Sequence, residues 1–144
     1  MPWTFLPDTA DGFHAMLERS GDPADELLVI CLLEDGALVG VAHLSQIFLG
    51  DFRSAYLGYS AFAPHEGKGL MTEGLALVLR HAFQTIGLHR VEANVQPENA
   101  RSIALVERLG FRREGFSPKY LRIGGEWRDH VRYAILAEEF AAPA

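Results

Sequence analysis

Cysteine is nearly absent from this chain, because Cys31 is the only one among its 144 residues. A single cysteine excludes an intramolecular disulfide bond and is typical of proteins from a reducing compartment, so we expect a cytoplasmic protein. Cys31 lies in the apolar run 27–33, where we expect it to be a small buried side chain.

Basic runs and long apolar runs are missing as well. The formal net charge is -6 at pH 7 and lysine and arginine do not cluster, so a nucleic-acid surface is not expected. No stretch is long and apolar enough for a membrane span, and the first residues do not resemble a secretion signal. The six histidines show neither HxxxH nor HxH spacing, so we expect no metal.

Apolar periodicity and turn residues predict a mixed α/β fold. With 49% apolar residues, no repeat and no low-complexity segment, residues 1–144 are expected to form one domain. Because strands alternate with helices in the middle of the chain, we expect parallel pairing there and antiparallel hairpins on either side. The predicted helices are 8–19, 71–83 and 99–109, and the predicted strands are 27–34, 37–48, 53–62, 88–96, 111–123 and 127–136.

The segment 63–74, APHEGKGLMTEG, is the most informative part of the sequence. It follows a strand-like run and precedes a helix-like run, so backbone N–H groups and the positive end of a helix point at one place, which suits a phosphate. Gly67 and Gly69 leave room for the anion, and Lys68 adds a charge. The glycine pair alone fits a tight turn without a ligand equally well. Leu70 after Gly69 excludes a Walker loop, and Thr72 in place of a third glycine disfavours a dinucleotide fingerprint.

The sequence resembles the GNAT superfamily of acyl-CoA-dependent N-acetyltransferases, whose acetyl-CoA loop has the form [Q/R]xxGx[G/A]. Residues 65–69 supply xxGxG, and Pro64 departs from the first position. Residues 88–102, continuing to LGFRREG at 109–115, and residues 120–130 form two further blocks. These blocks resemble the ribosomal-protein alanine N-acetyltransferase (RimJ/RimL-like) branch, and the resemblance covers residues 27–137 in order.

The resemblance implies a central mixed sheet in which two parallel strands, here 53–62 and 88–96, splay apart and admit the pantetheine arm of acetyl-CoA. Members of the family open with a further strand, which we expect to be missing here or reduced to residues 3–6. Without that strand the apolar run 27–33 would form an exposed sheet edge, which favours pairing with another chain. We therefore expect a homodimer.

The resemblance also implies which residues hold acetyl-CoA. The amides of residues 67–72 would bind the pyrophosphate, and a backbone N–H of Phe62 or Ala63 would polarise the thioester oxygen. Asn99 precedes a helix, which predicts an N-cap, and by resemblance it also contacts the pantetheine. The predicted cofactor-binding residues are Phe62, Ala63, Glu66, Gly67, Lys68, Gly69, Leu70, Met71, Thr72, Asn94, Asn99, Arg101 and Ser102.

Ser102, Glu92 and Tyr120 are the predicted catalytic residues. By resemblance Ser102 lies near the sulfur as proton donor to the leaving thiolate, although a serine in a first helical turn is more often structural. Many members carry a tyrosine four residues further on, where this chain has Val106. Glu92 is a candidate base, although such a residue is more often a surface or salt-bridged carboxylate. Tyr120 is a second group, with Tyr56, that would face the cleft.

The predicted function is acetyl-CoA-dependent acetylation of a protein N-terminal α-amine by direct attack in a ternary complex. Weak base machinery suits an α-amine with a pKa of about 7.7–8.0 better than a lysine with a pKa of about 10.4. One alternative is an acetyltransferase for a small amine such as an antibiotic or a polyamine. Another is a non-catalytic acyl-CoA-binding protein, which Pro64 and Val106 favour.

Overall fold

The computed structural model describes residues 24–32, 36–62 and 69–140. The predicted helix 8–19 and the reduced opening strand at 3–6 lie outside these residues. No helix within them is long and apolar enough to cross a membrane. The strands are β1 Glu26–Cys31, β2 Leu38–Phe48, β3 Ser54–Ala61, β4 Arg90–Val95, β5 Arg112–Ile123 and β6 Glu126–Leu136. The helices are α1 Leu70–Arg80, a π-helical continuation His81–Ile86, α2 Ala100–Arg108 and a 3-10 turn Ala137–Glu139.

The six strands form one mixed sheet in the order β1-β2-β3-β4-β6-β5. β3 and β4 are parallel, and the other neighbours are antiparallel. The predicted mixed sheet is therefore confirmed, with parallel pairing in the middle and hairpins on both sides. The β5–β6 hairpin turns at Gly124 and Gly125, both with positive φ, as a two-residue hairpin turn requires.

Both helices cover the same face of the sheet. α1 buries Leu75, Val78 and Leu79, and burial of each such side chain contributes about 2 kcal/mol. Gly74 allows close packing, because a Cβ there would lie 2.6 Å from Cγ2 of Ile30 in β1. Thr72 on α1 accepts a hydrogen bond from Arg108 on α2, so the two helices lie side by side.

The residues of each strand alternate between the two faces of the sheet. Leu57 and Tyr59 of β3 belong to the core beneath the helices. Tyr56 points to the opposite face and is in register with Glu92 of β4. This opposite face is called the acceptor face below.

The prediction for Cys31 is wrong, because its side chain is exposed. Cys31 is the last residue of β1, which lies at the edge of the described sheet, and the register shifts between Ile30 and Cys31. An edge strand has a neighbour on one side only, so an apolar sequence does not ensure burial there. The predicted helix 71–83 is also interrupted, since α-helical bonding ends at Arg80 and the π-helical segment follows.

Candidate active site

β3 and β4 begin as a parallel pair and then diverge. Residues 54–56 pair with residues 90–92, and no pair joins the two strands beyond Tyr56 and Glu92. β2 holds the outer side of β3 as far as Ala61, and β6 holds the outer side of β4 as far as Val95. The divergence opens a wedge in the sheet, where the inner backbone groups of β3 have no strand partner among the described residues.

The backbone of β3 presents different amides to β2 and to the wedge. The N–H of Phe62 donates to the carbonyl oxygen of Val39 at 2.7 Å, so it is not available to polarise a thioester in the wedge. Successive residues of a strand direct their backbone groups to opposite sides, so the N–H of Ala61 faces the wedge. Ala63, the other predicted donor, lies outside the described residues together with Glu66, Gly67 and Lys68.

The start of α1 follows β3 in the chain and presents the backbone donors of its first turn. Gly69 adopts a left-handed conformation with φ of 75°, and no side chain caps the helix. The N–H groups of the first turn, from Leu70 and Met71 to Thr72, have no partners within a helix, so this end suits an anion. Beside it lies a groove of about 430 Å3, bounded by the start of α1, the end of α2 and Phe140.

Asn94 provides a second unsatisfied group. It lies on β4 beyond the last β3–β4 pair and is 7% exposed. Its Oδ1 atom is buried and has no hydrogen-bond partner in the part of the chain that the structure describes. A buried acceptor without a donor costs about 1–3 kcal/mol, so a ligand N–H in the wedge would be stabilised there.

Ser102 lies on the helix-covered side of the wedge and is fixed by two contacts. Its backbone N–H donates to Oδ1 of Asn99 at 3.1 Å, so the predicted N-cap is confirmed. Its hydroxyl forms a short hydrogen bond with the hydroxyl of Tyr59 on β3. Burial raises the pKa of Tyr59 to about 12, although the bond to Ser102 opposes the shift. Arg101, the preceding residue, is exposed on α2.

Glu92 and Tyr120 meet on the acceptor face, on the other side of the sheet from Ser102. Oε1 of Glu92 accepts two bonds from Arg90, at 2.6 and 3.1 Å, so the salt-bridged alternative for Glu92 is confirmed. Burial raises the pKa of Tyr56, and a hydrogen bond to Tyr120 and the charge of Glu92 raise it further. The two tyrosines and the carboxylate therefore form one group at the point where the strands diverge.

The structure adds His130, a residue that the predicted site did not include. His130 is buried, and its ring lies 6.1 Å from the ring of Tyr120. Burial lowers the pKa of His130, which favours the neutral imidazole. Its Nδ1 lies 3.0 Å from the carbonyl oxygen of Arg128, which requires an N–H at Nδ1 and leaves the Nε2 lone pair as an acceptor. His130 is the last residue of the block 120–130, and that block is the sequence signal that could have indicated it.

Comparison with known proteins identifies the family. The model of the acetyltransferase (GNAT) domain matches residues 1–112, and the chain belongs to this family. The chain is 42% identical to the ribosomal protein uS5-alanine N-acetyltransferase of Escherichia coli over 107 residues, which are 74% of this chain and 55% of that protein. It therefore spans about half the length of this curated relative.

Two solved structures share the fold. RimJ of Mycobacterium smegmatis, solved in complex with CoA-disulfide, aligns with a TM-score of 0.80 and 33% identity over 96% of this chain and 69% of that chain. The spermidine N-acetyltransferase SpeG of Vibrio cholerae, as an N152L mutant, aligns with a TM-score of 0.78 and 26% identity over 90% and 75%. The fold is thus common to enzymes named for different acceptors.

Proposed function

We propose that this chain is an acetyl-CoA-dependent N-acetyltransferase that acts on the N-terminal α-amine of a protein. The observation that carries the proposal is the wedge between β3 and β4, with the unpartnered Oδ1 of Asn94 on the strand that borders it. Membership of the GNAT family and the likeness to the uS5-alanine N-acetyltransferase support the reaction and the acceptor.

The residues of the wedge fit acetyl-CoA, which when bound supplies an acetyl group as a thioester. Asn94 would accept a hydrogen bond from a pantetheine amide, and the backbone of Ala61 would pair with the same arm as a strand pairs with a peptide. The amides of Gly69 to Thr72 and of the preceding loop would hold the phosphates. Arg108, bonded to Thr72 at 3.3 Å, adds a positive charge beside them.

The two sides of the wedge would perform different steps. On the helix-covered side, the hydroxyl of Ser102 would donate a proton or a hydrogen bond to the leaving thiolate. On the acceptor face, Glu92, Tyr56 and Tyr120 would receive the incoming amine and orient it toward the wedge. His130 would accept the released proton through Tyr120 or a water molecule, because its Nε2 carries the lone pair.

The acceptor face favours a peptide over a polyamine. A polyamine carries several ammonium groups and needs several carboxylates that are free to bind them. Glu92 and Glu114 are both held by Arg90, and Arg112 holds Glu114 and Glu139, so each of these carboxylates is already paired with an arginine. Spermidine remains the second candidate acceptor, because the SpeG fold is so similar.

The test is release of free thiol from acetyl-CoA by the purified chain. A set of tetrapeptide amides with different N-terminal residues would be compared with spermidine and a lysine side-chain analogue. We expect peptide kcat/KM values to exceed that of spermidine by at least tenfold. A preference for spermidine would contradict the proposed acceptor, and binding of acetyl-CoA without turnover would show a non-catalytic protein.

A further inference from the structure

Arg132 on β6 differs from the other arginines of the acceptor face. Arg90 and Arg112 are each bound to two carboxylates. Arg132 forms no ion pair with any carboxylate of the described residues, and its Nε donates to Oγ of Ser117 at 3.1 Å. A guanidinium has five N–H groups, so this half-buried side chain keeps four for a ligand.

The local sequence holds Arg132 in place without neutralising it. A Cβ at Gly115 would lie 2.5 Å from an NH2 nitrogen of Arg132, so the guanidinium occupies the space that glycine leaves on β5. Ser117 holds the side chain from the same strand. An arginine that is positioned by β5 and lacks a counter-charge is arranged to bind an acceptor atom from outside the protein.

Arg132 lies close to the place proposed for the reacting amine. Arg132 is in register with Asn94, two residues along β4 from Glu92. Two residues along a strand and one step across a sheet give a separation of about 8 Å between the Cα atoms of Glu92 and Arg132. An extended peptide covers about 3.3 Å per residue, so an amine near Glu92 places its first or second backbone carbonyl within reach of Arg132.

We propose that Arg132 binds a backbone carbonyl oxygen of the acceptor and thereby selects peptide amines over polyamines. This inference rests on the proposed function and specifies its acceptor site. A peptide supplies a carbonyl oxygen to which the remaining N–H groups of the guanidinium can donate. A polyamine supplies none and brings a second ammonium toward a positive charge, which disfavours it.

Arg132→Met is the direct test, because methionine keeps an extended side chain and removes the donors. With an alanine-initiated tetrapeptide amide, we expect the KM of the peptide to rise about ten- to a hundredfold, as loss of a charged hydrogen bond predicts. The kcat for the peptide and the KM for acetyl-CoA should stay within about twofold. The kcat/KM for butylamine, which has no carbonyl, should not change.

Two further variants separate binding from general damage. Gly115→Ala keeps the charge but displaces the guanidinium, so it should raise the peptide KM in the same way. Arg128→Met lies on the same strand and face, in an exposed pair with Glu126, and should leave the peptide KM unchanged. Equal losses with peptide and butylamine, a raised KM for acetyl-CoA, or an unaltered peptide KM in Arg132→Met would each overturn the inference.

A wild-type chain that acetylates no amine would contradict the proposed function, not the role of Arg132. Calorimetry with the N-acetylated tetrapeptide amide in the presence of CoA still tests that role without turnover. Weaker binding to Arg132→Met than to the wild type supports the carbonyl contact, and equal binding overturns it.

Discussion

The Ser102 hydroxyl is hydrogen-bonded to the buried hydroxyl of Tyr59. Because burial raises the pKa of Tyr59 to about 12, the phenol keeps its proton throughout the neutral range. Either hydroxyl can donate in this bond, and we propose that the phenol donates to the serine oxygen. The serine hydrogen is then free to point toward another acceptor, which the proposed mechanism identifies as the leaving sulfur. Tyr59 is thus a positioning residue that acts through Ser102.

Removal of either hydroxyl should slow turnover. We expect Ser102→Ala to lower kcat about ten- to a hundredfold with little change in the KM for acetyl-CoA. Tyr59→Phe should lower kcat about three- to tenfold, because one neutral hydrogen bond is lost. In the Ser102→Ala background, Tyr59→Phe should have no further effect on kcat, since the two groups act together. Saturating thiol-release assays measure these rates, and a normal kcat in Ser102→Ala would leave the serine with a structural role only.

A second residue-level prediction concerns Glu114 and acid stability. Hydrogen bonds from Arg90, and then from Arg112, lower the pKa of Glu114 to about 2 in the folded chain, below its usual value of 4.5. The stabilisation is therefore present above pH 4.5 and is lost as the pH falls toward 2. Glu114→Gln should lower the free energy of unfolding by about 1 kcal/mol at pH 7. Urea titrations should show this difference shrinking between pH 4.5 and 2, and a constant difference would contradict the assignment.

Local patterns predicted some residues and missed others for a common reason. The N-cap at Asn99 could be predicted because capping involves only the next few residues. The Tyr59–Ser102 bond could not be predicted, because it joins residues 43 positions apart and depends on how α2 packs against β3. The same holds for Arg132, whose free donors depend on which carboxylates the other arginines bind. A sequence shows which residues carry a charge, but it does not show which charged residues pair with each other.

At the element scale, the start of α1 is the feature that the glycine pattern predicted. Gly69 has φ of 75° and begins the helix without a side-chain cap. A Cβ at Gly69 would have no atom of the described residues within 4 Å at the end of the helix. That space is where the proposed phosphate approaches the first-turn amides.

Gly69→Val should therefore weaken binding of acetyl-CoA by at least tenfold while the chain still folds. The matched control is Gly50→Val, because Gly50 also has φ of 72° and open space around its Cβ, but lies in the β2–β3 turn. Both variants carry a left-handed valine, which costs about 1–2 kcal/mol, so the strain is equal. Calorimetry should show lost affinity in Gly69→Val only. Equal affinities in the two variants would remove the phosphate role of this helix end.

The divergence of β3 and β4 shows what a resemblance can and cannot predict about elements. The blocks at 63–74 and 88–102 predicted which strands would splay, and the register confirms that they do. They did not predict that the pairing would stop at Tyr56 and Glu92. That point depends on how β2 and β6 pair with the outer sides of β3 and β4. The interruption of α1 after Arg80 was missed because His81–Ile86 continues the apolar pattern of the helix.

At the scale of the whole molecule, the two faces of the sheet carry different kinds of side chains. The helix-covered face is mainly apolar, and its polar contacts include the Tyr59–Ser102 pair and the hydroxyl of Tyr133, which donates to Glu107. The acceptor face carries the arginine–glutamate network, the tyrosine pair and Arg132. The wedge is the opening in the described sheet that connects these two faces. A transfer reaction across the wedge would keep the leaving group and the incoming amine on opposite sides of the sheet.

The last prediction concerns association of whole chains. β1 pairs only with β2, so its outer edge has no strand partner among the described residues, and Val29 is 49% exposed. An unpaired apolar edge favours strand addition from another molecule, and we expect self-association through β1 at tens of micromolar. Val29→Lys should shift the mass measured by light scattering toward the monomer. Leu77→Lys, which replaces a residue 60% exposed on α1, is the control and should not shift it. A monomeric wild type at this concentration would refute the prediction.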